Sequence, residues 1–365
     1  MRIRTRETLN KKNAAIVFLF LLPLLGFLSY GGTLLYILID VNSFTYTMDP
    51  PNEEYFHDLE EIDEERLLEM ARIFDYRLMK YNSPVGYPVD VTFTDNSYSQ
   101  VKYWHHTDNG ALHNAYGLAA ACFKYHWAKE TGHEEDLNNA TKDVKSFVKA
   151  MGNLIAAPNG GLGINPETGE YYPGILSRFA VSYEDAVKYH PFMLEDHVRH
   201  HNGTGRYHNW RVRLKTSRDE VSGYYLGWAC VLKYITGNDE ISKWCVNQVK
   251  TQAAKVLHHW KTESNWLVLD HDGTPTGSDI NSQPWMLVGL RIGATAHPKK
   301  YEQLYQYAAT KMLAMNGANM GEIFNVANEY YAYMLGANSM YPMILLEDDP
   351  ELKRHYIKNF EAGMY

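Results

Sequence analysis

Carboxylates set just ahead of apolar runs are the residues of this chain with the plainest chemistry. His106-Thr-Asp-Asn-Gly110 places Asp108 before a long run of small residues, and Thr216-Ser-Arg-Asp-Glu-Val-Ser-Gly-Tyr-Tyr225 places Asp219 and Glu220 before another. Asp279 and Glu322 stand in the same relation to two later runs. Two carboxyl groups meeting in a cleft can cleave a glycosidic bond, one protonating the leaving oxygen and the other serving as base or nucleophile. Asp108, Asp219 and Glu220 are therefore the candidate catalytic residues. The candidate substrate-binding residues are Trp104, His105, His106, Arg213, Arg218, Asp279, Trp285 and Glu322. The indoles can stack on sugar rings. The cationic strip Arg211, Arg213, Lys215 and Arg218 carries donors that suit the carboxylate of an acidic sugar.

Each signal also has a structural reading. Helix N-termini attract negative charge, Ser217-Arg-Asp-Glu220 matches a capping box, and Asp108 could cap the helix that follows it. A Trp just outside a helix start can simply pack, and a short cationic strip can simply be solvated. His197 and His201 have the i, i+4 spacing of helical zinc ligands, but Val-Arg-His separates them where His-Glu-x-x-His would need Glu, and Asn202-Gly203 marks a loop. No metal and no cofactor is expected. Asn159-Gly-Gly-Leu-Gly163 lacks the Lys-Ser/Thr of a phosphate loop, and no Gly-x-Ser-x-Gly elbow occurs.

The elements that must position these groups are helical. Apolar segments at 110–130, 217–236 and 282–296 are each followed by an amphipathic one, at 134–155, 239–259 and 298–316; 322–341 and 350–364 form a fourth pair. One further helix is expected near 60–80, and no strand pairs. Thr131-Gly132 and Thr236-Gly237 read as helix stops with glycine caps, and Pro298 suits a first turn. A helix apolar on most sides must be buried, whereas an amphipathic one can face water. Alternating the two in short hairpins predicts an all-α toroid with an inner ring of parallel helices; an open solenoid shares the same local packing.

The two stretches around Asp108 and Asp219 resemble the six-hairpin glycosidase-like superfamily, whose members include unsaturated glucuronyl hydrolases, sugar epimerases and polysaccharide lyases. The resemblance covers roughly residues 60–365 and implies carbohydrate chemistry by Asp or Glu in a central cleft, with an oligosaccharide or polysaccharide as partner. A non-catalytic glycan- or partner-binding toroid is the alternative. A closed ring needs about six hairpins; four or five are legible and the chain stops inside a helix, so an incomplete ring or a fragment is expected.

Composition bounds the rest. The chain has 365 residues, a net charge of −8, 28 Tyr, 8 Trp and three Cys in apolar surroundings. Five cations against Glu7 in residues 1–13 leave the remainder strongly acidic, which excludes a nucleic-acid footprint. Residues 14–39 form an uncharged stretch of 26, long enough to cross a bilayer and too long for a signal-peptide core. With the basic tail 1–13 held cytoplasmic, they predict a single-pass anchor in the lipid bilayer, a stalk at 40–57 and an exported domain at 58–365. The sequons Asn139-Ala-Thr and Asn202-Gly-Thr fit such a domain.

Overall fold

The computed structural model describes residues 63–105, 108–262, 267–276, 283–311 and 330–364. Two compact units divide the chain, Met1–Glu69 and Met70–Tyr365. The basic tail, the stretch 14–39 and the stalk 40–57 lie outside the described residues, as do His106, Asp279 and Glu322. Among the described residues no helix is long and apolar enough to cross a membrane.

The chain is mostly α-helical. Helix α1 (Glu64–Arg77) continues into a π turn, Leu78–Asn82. The hairpins expected from the apolar–amphipathic alternation follow: α2 (Gly110–Thr131) with α3 (Glu134–Asn159), α5 (Arg218–Tyr234) with α6 (Glu240–Thr262), α7 (Gln283–Ala296) with α8 (Pro298–Lys311), and α9 (Tyr330–Leu346) with α10 (Pro350–Met364). A short α4 (Tyr183–Tyr189) lies between the first two pairs.

Local chemistry accounts for these boundaries. Helix α2 stops at Gly132, whose φ of 75° and N–H bond to Ala128 O make the left-handed cap that glycine adopts without strain. Three acids in the first turn of α3 suit the positive end of its dipole. Pro158 near the end of α3 has no N–H to give Leu154 O; Ser177 bonds that carbonyl instead, through its N–H and its hydroxyl. The stop expected at Gly237 is different. Helix α5 ends at Tyr234, and Gly237 is needed for space: a Cβ there would lie 2.6 Å from Asp239 Oδ2 and Ser242 Oγ.

Helices α2, α5 and α9 run the same way. Along α2 and α5, Ala111 meets Glu220, Leu112 meets Gly223 and Leu118 meets Gly227. The approach at Gly223 is close enough that an added Cβ would fall 2.7 Å from the Leu112 Cα. Helix α9 has the same sense: Asn338 bonds Tyr116, and Tyr341 packs on Phe123 further along α2. It packs on α5 as well as on α7. The core shared by α2, α3 and α5 holds Leu118, Phe147, Met151, Tyr224, Tyr225 and Trp228, all fully buried. Cys122, Cys230 and Cys245 are buried free thiols within this core.

Strand pairing, which the sequence did not lead one to expect, occurs twice. Strands β1 (Val91–Phe93) and β2 (Val101–Trp104) form an antiparallel ribbon. Strands β3 (Phe179–Ser182), β4 (His200–Asn202) and β5 (Trp210–Arg213) form an antiparallel sheet in the order β3-β5-β4. Runs of three or four residues are too short to display a two-residue period, so the pairing itself, and not the pattern, defines them.

Candidate functional site

The loops ahead of α2 and α5 meet because the two helices are parallel and in register at their leading ends. Arg178, just before β3, ties the loops together. Its Nη1 donates to Asp108 O at 2.7 Å and to Asn109 Oδ1 at 3.2 Å, and its Nε donates to Lys215 O. Its backbone N–H bonds Arg213 O, so the sheet and both leading loops share one anchor.

Asp108 is not a helix cap. Asn109 occupies the cap position of α2, and the Asp108 carboxylate pairs with Arg213 Nη2 and lies 3.6 Å from Arg199 Nη1. Arg213 is buried, and its Nη1 donates to His200 Nε2 at 2.8 Å. His200 Nδ1 faces Glu195 O at 3.2 Å, which assigns the proton to Nδ1 and leaves Nε2 as the acceptor. Burial lowers the His200 pKa, with Arg213, His197 and Arg211 adding to that shift.

Glu220 does not complete a capping box. Ser217 stands at the cap position of α5 without a side-chain cap bond, and Glu220 Oε2 instead accepts the Ala111 N–H at 2.8 Å. The reason is the parallel packing: the first free N–H groups of α2 lie against the first turn of α5. Burial holds the Glu220 carboxyl well above the ordinary range, against the pull of Arg178 and the Ala111 N–H, and the charges of Asp219 and Asp108 push it further. Its Oε1 has no partner among the described residues. Glu220 therefore has no exposed surface, and its burial favours the neutral form. Asp219 is half-buried in the first turn of α5, and its charge bears on both Glu220 and Tyr116.

Asp108, Asp219, Glu220 and Arg213 thus come together. The other described candidates are tied elsewhere. Trp104 belongs to the β1–β2 ribbon, its Nε1 bonded to Tyr81 O at 2.7 Å and its ring edge-on to Tyr189. His105 bonds Thr92 in the same ribbon. Trp285 is not a sugar platform: it is a core residue of α7, its ring 6.0 Å from that of Tyr225 and its carbonyl accepting the Tyr225 hydroxyl. Arg218 is half-buried at the head of α5.

The cationic strip is not simply solvated either. Arg211 donates to Met193 O and Asn202 Oδ1. Lys215, held at φ 66°, pairs with Asp272 at 2.5 Å and Asp270 at 3.7 Å. Sequence reading missed Arg178, Arg199 and the Asp270–Asp272 turn, since neither spacing nor flanking pattern marks them. Asp270, His271 and Asp272 offer oxygen and nitrogen atoms within 4.8 Å of one another, a geometry able to hold a metal ion, although the Lys215 ammonium already serves both carboxylates. His197 and His201 do not share a helix face. His201 lies in β4 with its ring 4.5 Å from that of His271, while His197 packs on His200.

The chain matches no family model, no curated protein and no solved structure.

Proposed function

We propose that the domain beginning near residue 58 is a glycan-active enzyme of the cell surface, tethered through residues 14–39 and acting on an acidic sugar. The observation that carries this reading is the meeting of Asp108, Asp219 and Glu220 with Arg178, Arg199 and Arg213 at the leading ends of α2 and α5. Asp219, half-buried and close to its fellow acids, is assigned the base or nucleophile of glycosidic cleavage. Asp108 is assigned the second carboxyl group. A sugar carboxylate competing for the accessible Arg199 would release Asp108 from one of its two guanidiniums, which couples an anionic substrate to the freeing of that acid. Glu220 supports both by gripping the first turn of α2.

The hairpins are assigned to an α/α toroid, which the shared direction of α2, α5 and α9 supports. The packing of α9 on α5 as well as on α7 favours a more filled arrangement than an open ring. A binding role without turnover has one observation in its favour: Asp108 is occupied by two guanidiniums while Glu220 is sealed. A screen of the full chain in detergent against uronate-containing oligosaccharides tests the proposal. Turnover is expected, and Asp219→Asn should reduce it about 10²–10⁴-fold, as loss of a general base does. Turnover undiminished in that variant removes Asp219 from the mechanism; binding without turnover leaves the non-catalytic role.

A further inference from the structure

Away from the Asp108–Glu220 cluster, α1, α2 and α3 line an open cavity of about 390 Å³, within the size range of small-molecule sites. Its wall brings together four acids and three cations. Arg72 holds the buried Asp136 through hydrogen bonds of 2.6 and 3.2 Å, and Lys124 pairs with Asp75 at 2.7 Å. With those pairs made, Glu135 and Asp143 face a single remaining cation, Lys142, and the wall carries one negative charge in excess. Asp143 is half-buried, and among the described residues it has no hydrogen-bond or ion-pair partner. A carboxylate stripped of part of its water, and met by Lys124 and Lys142 only through space, is stabilised further by a cation brought to it.

We propose that this cavity binds a small organic monocation, an alkylammonium or alkylguanidinium, with Asp143 as its counter-ion. An anion would find Lys142 already faced by Glu135 and Asp143, and could gain a second cation only by taking Arg72 or Lys124 from a carboxylate already paired. A metal ion needs three ligand atoms converging on a point, and among the described residues that convergence occurs at Asp270–Asp272, outside this cavity. A cation several atoms long can span the wall without such convergence. The site is independent of the glycan reading, since none of its residues belongs to the Asp108 cluster.

Titration follows from the same wall. Burial raises the Asp143 pKa to about 6; Asp75 on α1 pushes the same way, against Lys124 on α2 and Lys142 on α3. Arg72 on α1 and Glu135, Asp136 and Asn139 on α3 complete the polar surroundings, with His133 bearing on Asp136. Ligand affinity should therefore fall about tenfold between pH 7.5 and pH 5, where Asp143 is mostly protonated.

Isothermal titration of n-butylguanidinium into the full chain, produced in bacteria so that the Asn139 side chain stays bare, tests the site. Saturable binding at pH 7.5 is expected, weaker at pH 5, and weakened at least tenfold in Asp143→Asn without that pH dependence. Asn139→Trp, at an exposed position on the wall, should block it while leaving the unfolding midpoint in place. Equal binding by wild type and Asp143→Asn, or no saturable binding at pH 7.5, overturns the proposal. Neither outcome bears on the oligosaccharide screen.

Discussion

The seam between α2 and α5 and the layer built on the β3–β5 sheet solve opposite problems. The seam is apolar and brings backbones so close that Gly223 leaves no room for a methyl group, yet it encloses one carboxyl, Glu220. The sheet layer is crowded with cations and imidazoles, yet it encloses one histidine, His190, fully buried beside Phe179 and Phe192 with neither ring nitrogen partnered among the described residues. Burial acts on both through the same physics with opposite sign. It raises the acid and lowers the base, favouring the neutral form of each. At the junction of the two regions the buried Arg213 guanidinium has a counter-charge in the Asp108 carboxylate.

The largest effect should come from the seam. Gly223→Val pushes atoms into the backbone at Ala111 and Leu112, which cannot yield without parting the helices, and should cost about 3 kcal/mol or more. A fall in the thermal midpoint is the readout, and an unchanged midpoint would mean that the helices do not touch as described.

His190 gives the next. Its pKa is lowered to about 4, so between pH 6.5 and 4 the unfolded chain binds a proton that the folded one refuses. Stability should decline as pH falls through that window, by roughly 3 kcal/mol in full. Denaturant unfolding of His190→Phe should show a correspondingly shallower acid decline than wild type, because phenylalanine carries no titrating group.

Glu220 should slope the other way. Its folded pKa is raised, so its contribution is fully present below the ordinary value of 4.5 and is lost as pH rises towards the folded value. Glu220→Gln keeps an acceptor for the Ala111 N–H and removes the titration. The variant should gain on wild type as pH rises above 4.5. Parallel curves for the two proteins would place Glu220 in contact with water and dissolve the contrast between the two regions.

Much of the helical frame was legible beforehand. The apolar segment expected at 110–130 is Gly110–Thr131, and that expected at 217–236 is Arg218–Tyr234, because burial on all sides imposes an apolar composition that a sequence displays directly. Their common direction was expected from short hairpins; a long connection carrying the β3–β5 sheet separates the first two pairs, and the packing of α2 on α5 is what brings Glu220 to the head of α2. The misreadings fall where a local pattern had a stronger distant competitor. Ser217-Arg-Asp-Glu220 has the letters of a capping box, but the bare N–H of Ala111 takes the Glu220 carboxyl. Trp285 has the position of a platform, but Tyr225 claims it for the core.

What the sequence determined alone was periodicity: where helices run, which of them are buried, and where Gly132 ends one. Partnership across long stretches of chain was decided only by the tertiary structure. Arg178 grips Asp108 across 70 positions, Arg213 reaches Asp108 from β5, and Lys215 finds Asp272 57 positions on. A periodic pattern is written in neighbouring residues, because each must face the same side of one helix. An ion pair between distant segments leaves no such trace, because either partner alone looks like any other charged residue.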